Sequence, residues 1–535
     1  MNKNIKIILS IFFLLISYSK SFSQPQTEWV QRFNSPGNYN DYVTDMAIDK
    51  SGNIFLTGYV HVNDTDQNFV TIKYNTQGGE QWVRYYDGPD HREDKPVAIA
   101  VDDSGNVFVS GNSSLNFLTI KYNSLGDTIW SRRNKNGYGL SAMSLDKRGN
   151  VYTTGIAIGV NSEDIITVKY DNSGNLKWSR TYNGTADGFD IPFSLYIDNN
   201  SNIYISGQSR ENRLSVPKGI IIKYSESGDE VWTVNPPKTF VNFTAVANDS
   251  DLVYSVGHSE PNNNTDISTL KLDSTGKILW ERKYNRSDTV PDQDDFYRGF
   301  TLDEGSNAIF TCVNSDNVLR WDIATVKYNL NGDFQWSKIF GTANSNDESK
   351  SITNDKFGNV FVCGFKDDGL FSKYLTIKYS SSGEYLWNIT YDNSFPFGSH
   401  KAYKILTDTI GNIYVTGVSQ GNGTGNDIST LKYSQLTEVK YESKNISNRF
   451  NLSQNYPNPF NSQTIISFNI KTRSFVSIRV FNELGQEISS LVNDYKIEGR
   501  YDIPFFSYNF PSGIYFYSLS LNREIVETKK LIVIN

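Results

Sequence analysis

Carboxylates recur at a fixed spacing along this chain and are the residues best placed to do chemistry. In five segments an aspartate stands eight residues before the aspartate that opens a Gly-Asn-type turn, and in a sixth segment His400 takes this place. A set of such carboxylates could hold a cation or a polar, sugar-like ligand. They could instead accept hydrogen bonds from the amides of their own loops, and we favour this structural interpretation. The five candidates are Asp41, Asp94, Asp190, Asp295 and Asp347.

The other reactive residue types form no recognisable catalytic or metal-binding pattern. The four histidines are scattered and include no close-spaced pair such as His-Glu-x-x-His. The sequence has no phosphate-binding glycine loop, and pairs such as Asp294 and Asp295 are too common in loops to indicate acid–base catalysis. We therefore expect no catalytic residue, no metal ligand and no cofactor, and we favour a protein that is not an enzyme.

The elements that position these carboxylates belong to an internal repeat. A segment of the type Met-Ala-Ile-Asp-Lys-Ser-Gly-Asn-Ile-Phe-Leu-Thr-Gly recurs eight times, at residues 46–58, 99–111, 143–155, 195–207, 245–257, 300–312, 352–364 and 405–417. Each copy is followed by a second signature of the type Thr-Ile-Lys-Tyr. In seven copies a turn with glycine four residues before tryptophan comes next. Such recurrence is the mark of a repeat architecture.

Each repeat contains four short β-type segments separated by turns, with no helical periodicity. Four-stranded units at this spacing are typical of propeller blades. The eighth repeat lacks the tryptophan segment, and a spare copy of that segment stands alone at residues 27–34. We therefore predict an all-β fold in which residues 24–433 form an eight-bladed β-propeller, closed by an N-terminal strand that completes the last blade.

The repeat core Asp-x-x-Gly-Asn-x-Tyr-Val-Thr-Gly resembles the bacterial β-propeller repeat family, which is often described as seven-bladed. The Gly-x-x-x-Trp turn also resembles the tryptophan-docking motif of eight-bladed quinoprotein propellers. Together the two resemblances cover residues 27–433, and they imply a fold more specifically than an activity.

Residues that recur in every repeat are predicted to be structural. We expect each strand lysine to pair with a turn carboxylate or to bury its stem between sheets, rather than to form a basic ring for a ligand. The recurring tryptophans are large enough to hold neighbouring sheets together. The ninth tryptophan, Trp321, falls in a predicted loop before a strand. We interpret it as a local packing residue, with an exposed ligand platform as the alternative.

Composition agrees with a globular β-rich chain held together by burial. Of 535 residues, 33 are Tyr and 32 are Phe but only 3 are Met, which favours strands over helices. The net charge of −7 includes no basic run, so nucleic acid is not expected as a partner. The two cysteines, Cys312 and Cys363, lie at equivalent positions of adjacent repeats. We favour two separate buried thiols over a disulfide.

The first 23 residues resemble a secretory signal peptide. Lys3 and Lys6 precede an apolar run, and small residues at the end of the segment place the cleavage between Ser23 and Gln24. A retained N-terminal anchor is the alternative. The run is too short to cross a bilayer, and no later segment approaches about 20 apolar residues. We expect no transmembrane segment in the mature protein.

The repeat ends at Tyr433, and a polar linker at residues 434–448 leads to a different C-terminal segment. Alternating apolar residues and Gly/Asn turns over residues 449–535 predict about seven strands in a small, Ig-like β-sandwich. The motifs in this segment are Tyr456-Pro457-Asn458-Pro459-Phe460, the single glycines Gly485 and Gly499, the pair Gly513 and Tyr515, and the terminal Lys529-Lys530.

These motifs closely resemble the type A C-terminal sorting domain of the type IX secretion system. The resemblance implies passage through the periplasm and outer membrane with the secretion machinery as partner. It also implies removal of this domain by a surface peptidase, followed by release or attachment to surface lipopolysaccharide. An ordinary β-sandwich with a coincidental motif is the alternative.

Function is predicted to lie in the variable loops at residues 59–68, 209–219, 287–299 and 392–401, because variable loops on a rigid scaffold usually carry binding. Our leading hypothesis is a surface-displayed or released, non-catalytic binding or adhesion scaffold for a protein or glycan. The alternative is a secreted polysaccharide hydrolase or lyase, which convergent His, Tyr and Arg or an acid pair would favour. A quinone-dependent dehydrogenase ranks third.

Overall fold

A computed structural model describes residues 24–63, 66–158, 162–184, 188–212, 215–236, 240–247, 252–259, 265–285, 295–315, 321–341, 345–367, 369–393, 398–435, 450–508, 510–521 and 524–534. These residues fall into two compact units that are divided between residues 436 and 437. The predicted signal peptide, with Ser23, lies outside the described residues. In the part of the chain that is described, no helix is long and apolar enough to cross a membrane.

The first unit is built from 32 strands. The early strands are β1 (Gln26–Phe33), β2 (Asp41–Ile48), β3 (Ile54–His61), β4 (Gln67–Tyr74), β5 (Glu80–Tyr86), β6 (Asp94–Val101), β7 (Val107–Ser113), β8 (Asn116–Tyr122), β9 (Thr128–Asn134), β10 (Gly139–Leu145), β11 (Val151–Ile158), β12 (Glu163–Tyr170), β13 (Leu176–Tyr182), β14 (Asp190–Ile197), β15 (Ile203–Ser209) and β16 (Lys218–Tyr224). They are followed by β17 (Glu230–Val234), β18 (Phe240–Ala247), β19 (Val253–Ser259), β20 (Asp266–Leu272), β21 (Ile278–Tyr284), β22 (Asp295–Leu302), β23 (Ala308–Ser315), β24 (Trp321–Tyr328), β25 (Phe334–Phe340), β26 (Asn346–Asn354), β27 (Val360–Asp367), β28 (Ser372–Tyr379), β29 (Tyr385–Tyr391), β30 (His400–Thr407), β31 (Ile413–Gln420) and β32 (Asn426–Ser434).

Within the described residues, these strands form eight four-stranded antiparallel sheets. Seven sheets are simple meanders of four consecutive strands, beginning with β2, β6, β10, β14, β18, β22 and β26. In the eighth sheet the order is β1-β32-β31-β30, so the N-terminal strand pairs with the last strand of the repeat region, from Gln26 opposite Ser434 to Phe33 opposite Ile428. The predicted all-β fold of four-stranded units is confirmed.

Neighbouring sheets contact one another through their first strands. Contacts run from β2 to β6 and onward along the chain to β26 and β30, and β30 in turn contacts β2. The apolar cores lie between sheets rather than inside them. For example, Phe108 and Trp130 of one sheet pack with Leu140 and Val168 of the next. Stacking therefore removes apolar surface from water at every sheet-to-sheet interface.

The turns between first and second strands follow the pattern expected from their sequence. In the first repeat, Asp49 Oδ1 accepts hydrogen bonds from the backbone amides of Ser51 and Asn53, at 2.9 and 2.8 Å. The Asn53 side chain donates to the other carboxylate oxygen at 2.7 Å. Gly52 has a φ of 81°, which an L side chain rarely adopts. Aspartate and glycine are thus required by the turn itself.

The recurring tryptophan and lysine join each sheet to the next. Trp130 donates through its indole N–H to the Asn172 carbonyl at 3.0 Å, and the Lys121 ammonium donates to the same carbonyl at 3.2 Å. Equivalent tryptophan bonds run from Trp29, Trp82, Trp178, Trp232, Trp280 and Trp336. Seven of the lysines donate to a turn carbonyl: Lys73, Lys121, Lys169, Lys223, Lys271, Lys327 and Lys432. Lys378 donates to the side chain of Gln435, and some lysines also meet a carboxylate, as Lys327 meets Asp303 at 2.8 Å. These contacts fit a structural role.

Trp321 differs from the prediction in one respect. It is the first residue of β24 and pairs with Ser315, so it does not lie in a loop. Its ring centroid lies 6.4 Å from that of Phe296, and the side chain remains about one-third exposed, at 36%. This contact fits the interpretation as a local packing residue.

The second unit contains β33 (Phe450–Leu452), β34 (Gln463–Ile470), β35 (Ser474–Phe481), β36 (Glu487–Lys496), β37 (Gly499–Phe506), β38 (Gly513–Leu521) and β39 (Glu524–Val533). They form a three-stranded sheet, β33-β34-β37, and a four-stranded sheet, β36-β35-β38-β39. Ile466 and Phe468 of the first sheet share one apolar core with Val476 and Leu519 of the second. The two sheets therefore pack face to face.

Candidate functional site

The predicted carboxylates lie at the beginnings of first strands and are fully buried. Asp41 accepts hydrogen bonds from the backbone amide and hydroxyl of Ser35, at 2.7 and 2.6 Å. Asp94 accepts one from the Gly88 amide at 2.5 Å. In each case the donor belongs to the loop that leads into the strand, so the carboxylate fixes that loop to the sheet.

The remaining candidates are held in a similar way. Asp190 accepts from the Gly184 amide at 2.6 Å, and Asp347 accepts from the Ser345 hydroxyl at 3.1 Å. Asp295 accepts from the side-chain amide of Asn314. This geometry fits the structural interpretation. Ligand binding by the five aspartates stays a prediction.

His400 occupies the equivalent position in the last repeat. It is buried, and its Nδ1 lies 2.8 Å from the Ser419 hydroxyl, while its backbone amide donates to the Ser372 hydroxyl at 3.1 Å. Ser419 lies in β31 and Ser372 begins β28, so these two contacts join the histidine to neighbouring strands rather than to the loop that leads into β30.

Burial has an electrostatic consequence for these carboxylates. Desolvation raises the pKa of Asp41 to about 6, and the hydrogen bonds from Ser35 offset only part of this effect. Burial also raises the pKa values of Asp94 and Asp190, each against a hydrogen bond from its loop amide. The loops are therefore held by carboxyl groups whose charged form is destabilised by burial.

All eight first strands carry a β-bulge at the same place in the repeat, two to four residues after the strand begins its pairing. The residue left out of the register changes from repeat to repeat. In seven repeats one residue is skipped: Thr44, Val97, Ser141, Phe193, Arg298, Lys350 and Tyr403. A bulge re-aims the side chain that it carries, and bulges concentrate near functional sites.

Charged and aromatic side chains gather around three of these bulges and continue into the first repeat. We call this group the inner-strand cluster, and it consists of Tyr42, Tyr59, His61, Lys95, Arg298, Glu348, Lys350, Phe365, Lys401 and Tyr403. The cluster crosses the first strands of four consecutive sheets, β22, β26, β30 and β2, and reaches Lys95 at the start of β6.

One end of the cluster is a cation-rich group around Glu348. Arg298, on the preceding sheet, lies 3.0 Å from the Glu348 carboxylate, and Lys350 lies 2.5 Å from the same carboxylate. Lys350 and Lys401 both lie over the buried ring of Phe365, at 5.5 and 4.6 Å from its centroid. Two ammonium groups are thus placed on one aromatic ring.

The other end of the cluster is aromatic. The rings of Tyr42 and Tyr59 are stacked, with centroids 5.0 Å apart, and the His61 ring lies 5.9 Å from both. The Lys95 ammonium lies over the Tyr59 ring at 5.2 Å. All four side chains are partly exposed, so the aromatic faces are available at the surface of the sheets.

Tyr403 connects the two ends. Its pKa is raised by burial and by electrostatic interaction with Tyr42 and Glu348. Burial and the neighbouring Tyr42 and Tyr403 raise the pKa of Tyr59 to about 12. Both phenols therefore stay protonated at neutral pH and can act as hydrogen-bond donors.

The sequence analysis missed this cluster because it looked for residues that recur. The bulged position is occupied by threonine, valine, serine, phenylalanine, arginine, lysine and tyrosine in different repeats, so self-comparison gives no signal there. A signal was nevertheless available. An aligned position that varies in a strand whose neighbours recur is free of the packing constraint, and such freedom is typical of a binding position.

Metal and thiol chemistry is not favoured by the geometry. Among the described residues, no group of three or more His, Cys, Asp or Glu side chains is arranged to hold a metal ion. Cys312 and Cys363 are both free and buried, and burial raises the pKa of each thiol. The thiols are therefore held in their unreactive, protonated form.

The predicted sorting motif is hydrogen-bonded to β39, the last strand of the second unit. Asn458 donates through its side chain to the Lys530 carbonyl at 3.1 Å and accepts from the Ile532 amide at 2.8 Å. Phe460 is buried and bonds through its backbone to the same strand, whereas the Tyr456 side chain is 82% exposed.

The other predicted sorting residues lie in the turns and strands of the same unit. Gly485 has a φ of 77° in the turn between β35 and β36, and Gly499 and Gly513 begin β37 and β38. Tyr515 donates its hydroxyl to the Pro511 carbonyl at 2.9 Å, and Lys529 pairs with Glu527 at 2.9 Å.

Comparison with known families confirms the resemblances to the β-propeller repeat family and to the C-terminal sorting domain. Residues 454–534 match the family described as a secretion system C-terminal sorting domain. Residues 28–64 and 335–364 match the family described as a β-propeller repeat. The sorting domain indicates export by type IX secretion, to the cell surface or into the medium. No curated protein sequence matches the chain.

Several solved structures are similar to this chain at low identity. The β-propeller domain of the Trilobed protease from Pyrococcus furiosus shows 10% identity and a TM-score of 0.39 over 64% of this chain and 95% of that one. The WD40 domain of SCAP from fission yeast shows 11% identity and a TM-score of 0.41 over 76% and 99%. A polysaccharide lyase, Uly1, shows 10% identity and a TM-score of 0.38 over 63% and 89%.

Proposed function

We propose that this protein is an exported eight-bladed β-propeller that serves as a non-catalytic binding scaffold for a protein or glycan. In this proposal a signal peptide occupies residues 1–23, the propeller 24–433, a linker 434–448 and an Ig-like sorting domain 449–535. The eight sheets and the pairing of β1 with β32 support a ring closed by the N-terminal strand. Closure in this way removes exposed sheet edges.

The inner-strand cluster is the observation that carries the binding function. The recurring tryptophans and lysines are used to join sheets, and the recurring aspartates hold turns and loops. The bulged positions are the ones where a constant backbone presents different side chains. Near three of them, partly exposed cations and aromatic rings come together, and tyrosine and arginine are among the residues enriched in binding surfaces.

The protonation states of the cluster favour binding over catalysis. A phenol acts as a general base only when its pKa lies near the working pH, and the pKa of Tyr59 is raised to about 12. Arg298 and Lys350 both pair with the Glu348 carboxylate. The cluster therefore offers hydrogen-bond donors and positive charge, but its phenols are not poised to remove a proton.

The test is a binding screen of residues 24–535 against glycan and protein arrays, with Tyr42→Ala as the site variant. Tyr42 contributes a partly exposed ring that stacks on Tyr59, so we expect its loss to weaken binding about tenfold. The matched control is Tyr385→Ala, which removes a 45% exposed tyrosine from an outer strand. Equal loss in both variants, or binding unaffected by Tyr42→Ala, would place the ligand elsewhere.

A second candidate function is a polysaccharide hydrolase or lyase that uses the same cluster. The convergence of Tyr42, Tyr59 and His61 favours it, because imidazole and phenol side chains are groups that general acid–base catalysis uses. The His61 Nε2 accepts a hydrogen bond from the Gln67 side-chain amide at 3.0 Å. Turnover of a bound polysaccharide into shorter chains, abolished by His61→Gln, would make this the correct function. Binding without turnover supports the scaffold.

A further inference from the structure

We propose that the ligand of the inner-strand cluster is an anionic polysaccharide, a sugar polymer that carries carboxylate or sulfate groups. This inference rests on the proposed function and adds the chemical class of the ligand. It is argued from the charge, the aromatic faces and the extent of the cluster.

The cluster carries a surplus of positive charge in an acidic protein. Its cations are Lys95, Arg298, Lys350 and Lys401, and the carboxylates that pair with them are Glu348 and Glu93. Four cations are thus set against two paired carboxylates, whereas the whole chain has a net charge of −7. A local field of opposite sign to the net charge attracts anions to that place.

Two of the positively charged side chains of the cluster meet at Phe365. Lys350 and Lys401 share this ring, and the one nearby carboxylate, Glu348, is already divided between Lys350 and Arg298. In the part of the chain that is described, Lys401 makes no ion pair. An acidic group of the ligand placed between the two ammonium groups would relieve their repulsion and make charge-assisted hydrogen bonds to both.

The aromatic end of the cluster fits the sugar part of such a ligand. A stacked pair of partly exposed tyrosines presents an apolar face, which can pack against the C–H face of a sugar ring, and hydroxyls at its rim. The phenols of Tyr59 and Tyr403 stay protonated, so they donate to carboxylate, sulfate or hydroxyl oxygens.

The extent of the cluster favours a polymer over a single sugar. It extends from Arg298 on β22 through β26 and β30 to Tyr42 on β2, so it spans four consecutive sheets. A monosaccharide would contact only one end. A chain of several residues can place an acidic group at the Phe365 end and a sugar face at the tyrosine end at the same time.

The test measures binding of residues 24–535 to four polymers by affinity electrophoresis and calorimetry. The probes are a polyuronate, a sulfated glucan, the matching neutral glucan and poly-glutamate. We expect binding to one or both anionic glycans, with an affinity that falls steeply between low salt and about 0.5 M salt. The first two probes distinguish carboxylate from sulfate recognition.

Variants place the binding at the cluster. Lys350→Gln and Lys401→Gln are each expected to weaken anionic-glycan binding about tenfold, because each removes one charged contact. Lys50→Gln is the matched control, since Lys50 is an exposed lysine in the turn between β2 and β3, paired with Asp103. Equal loss with Lys50→Gln would overturn the assignment of the site.

The outcomes separate this inference from the proposed function. Equal binding of the neutral glucan would overturn the anionic ligand and leave the scaffold in place. Equal binding of poly-glutamate would show that charge alone is recognised and that an acidic protein is the better partner. Turnover of a bound glycan would leave the ligand class correct and replace the non-catalytic function.

Discussion

The buried carboxylate of Asp41 makes the stability of the folded chain depend on pH. Its pKa is raised to about 6 in the folded chain by burial, whereas an aspartate in the unfolded chain titrates near its ordinary value of about 3.9. Between these values the folded state binds more protons than the unfolded state. The free energy of unfolding contributed by Asp41 therefore falls as pH rises from about 4 to about 6.

Asp41→Asn is expected to remove this pH dependence. The amide oxygen of asparagine can still accept from the Ser35 backbone, so the loop contact is kept while the charge is removed. Unfolding by denaturant across pH 4–7 should show a flatter profile, with a difference of at most about 2–3 kcal/mol at neutral pH. Asp103→Asn, at an exposed carboxylate, is the control. An unchanged slope in Asp41→Asn would show that other groups carry the titration.

Positions that recur in the sequence were easier to interpret than positions that vary. The spacing of the aspartates placed all five at the starts of first strands, and the turn chemistry of Asp49 and Gly52 followed from residue type alone. The side chains at the bulges were not predicted, because a bulge is a backbone feature set by pairing between strands. The partner of the Lys121 ammonium, a carbonyl of the next sheet, also depends on inter-sheet geometry.

At the scale of the element, each sheet is joined to the next by a tryptophan that packs against the glycine turn of the next sheet. We call this contact the tryptophan latch. Gly174 has a φ of 80°, and a Cβ built on it would lie 2.8 Å from Cδ2 of Trp130. The absence of a side chain thus lets the indole lie flat against the turn and reach the Asn172 carbonyl. Glycine is required here both by the backbone and by the close approach.

Gly174→Ala is expected to destabilise the first unit more than an alanine at a comparable open glycine. Gly423 has a φ of 83° and nothing within 4 Å of a built Cβ, so Gly423→Ala measures backbone strain alone, about 1–2 kcal/mol. Gly174→Ala adds the clash with Trp130. Chemical denaturation followed by tryptophan fluorescence should show the difference, and equal losses in the two variants would mean that the indole moves away at no cost.

At the scale of the whole first unit, the N-terminal strand contacts both the last repeat and the first repeat. Strand β1 belongs to the sheet of the last repeat, and its Arg32 pairs with Asp427 and donates to the Ser419 carbonyl at 2.9 Å. From the same strand, Trp29 reaches the first repeat, where it donates to the Thr76 carbonyl at 3.2 Å. The N-terminal strand therefore joins the last repeat to the first. It does so through the same tryptophan latch that joins consecutive repeats.

The pairing of β1 with the last repeat could be inferred from the sequence because one repeat lacked a tryptophan segment and one segment was spare. Its side-chain contacts could not be inferred, since Arg32 and Asp427 are 395 residues apart and the residue types alone do not pair them. A role for the variable loops stays a prediction. The inner-strand cluster combines residues from five sheets, and no single stretch of sequence contains its pattern.

If the ring is closed, Trp29→Ala should cost as much stability as Trp130→Ala, about 3–5 kcal/mol, because both remove an indole from the same kind of latch. In an open arrangement, Trp29 would lie at a free end and its loss would be nearly neutral. Equilibrium unfolding of residues 24–535 carrying either substitution makes the comparison.

A protein that begins at residue 35 should have a lower free energy of unfolding than the Trp29→Ala variant, since β32 would lose its partner strand. A peptide of residues 24–34 added in trans should restore part of this loss. Stability of the Trp29→Ala variant equal to that of the unsubstituted chain would contradict closure by β1.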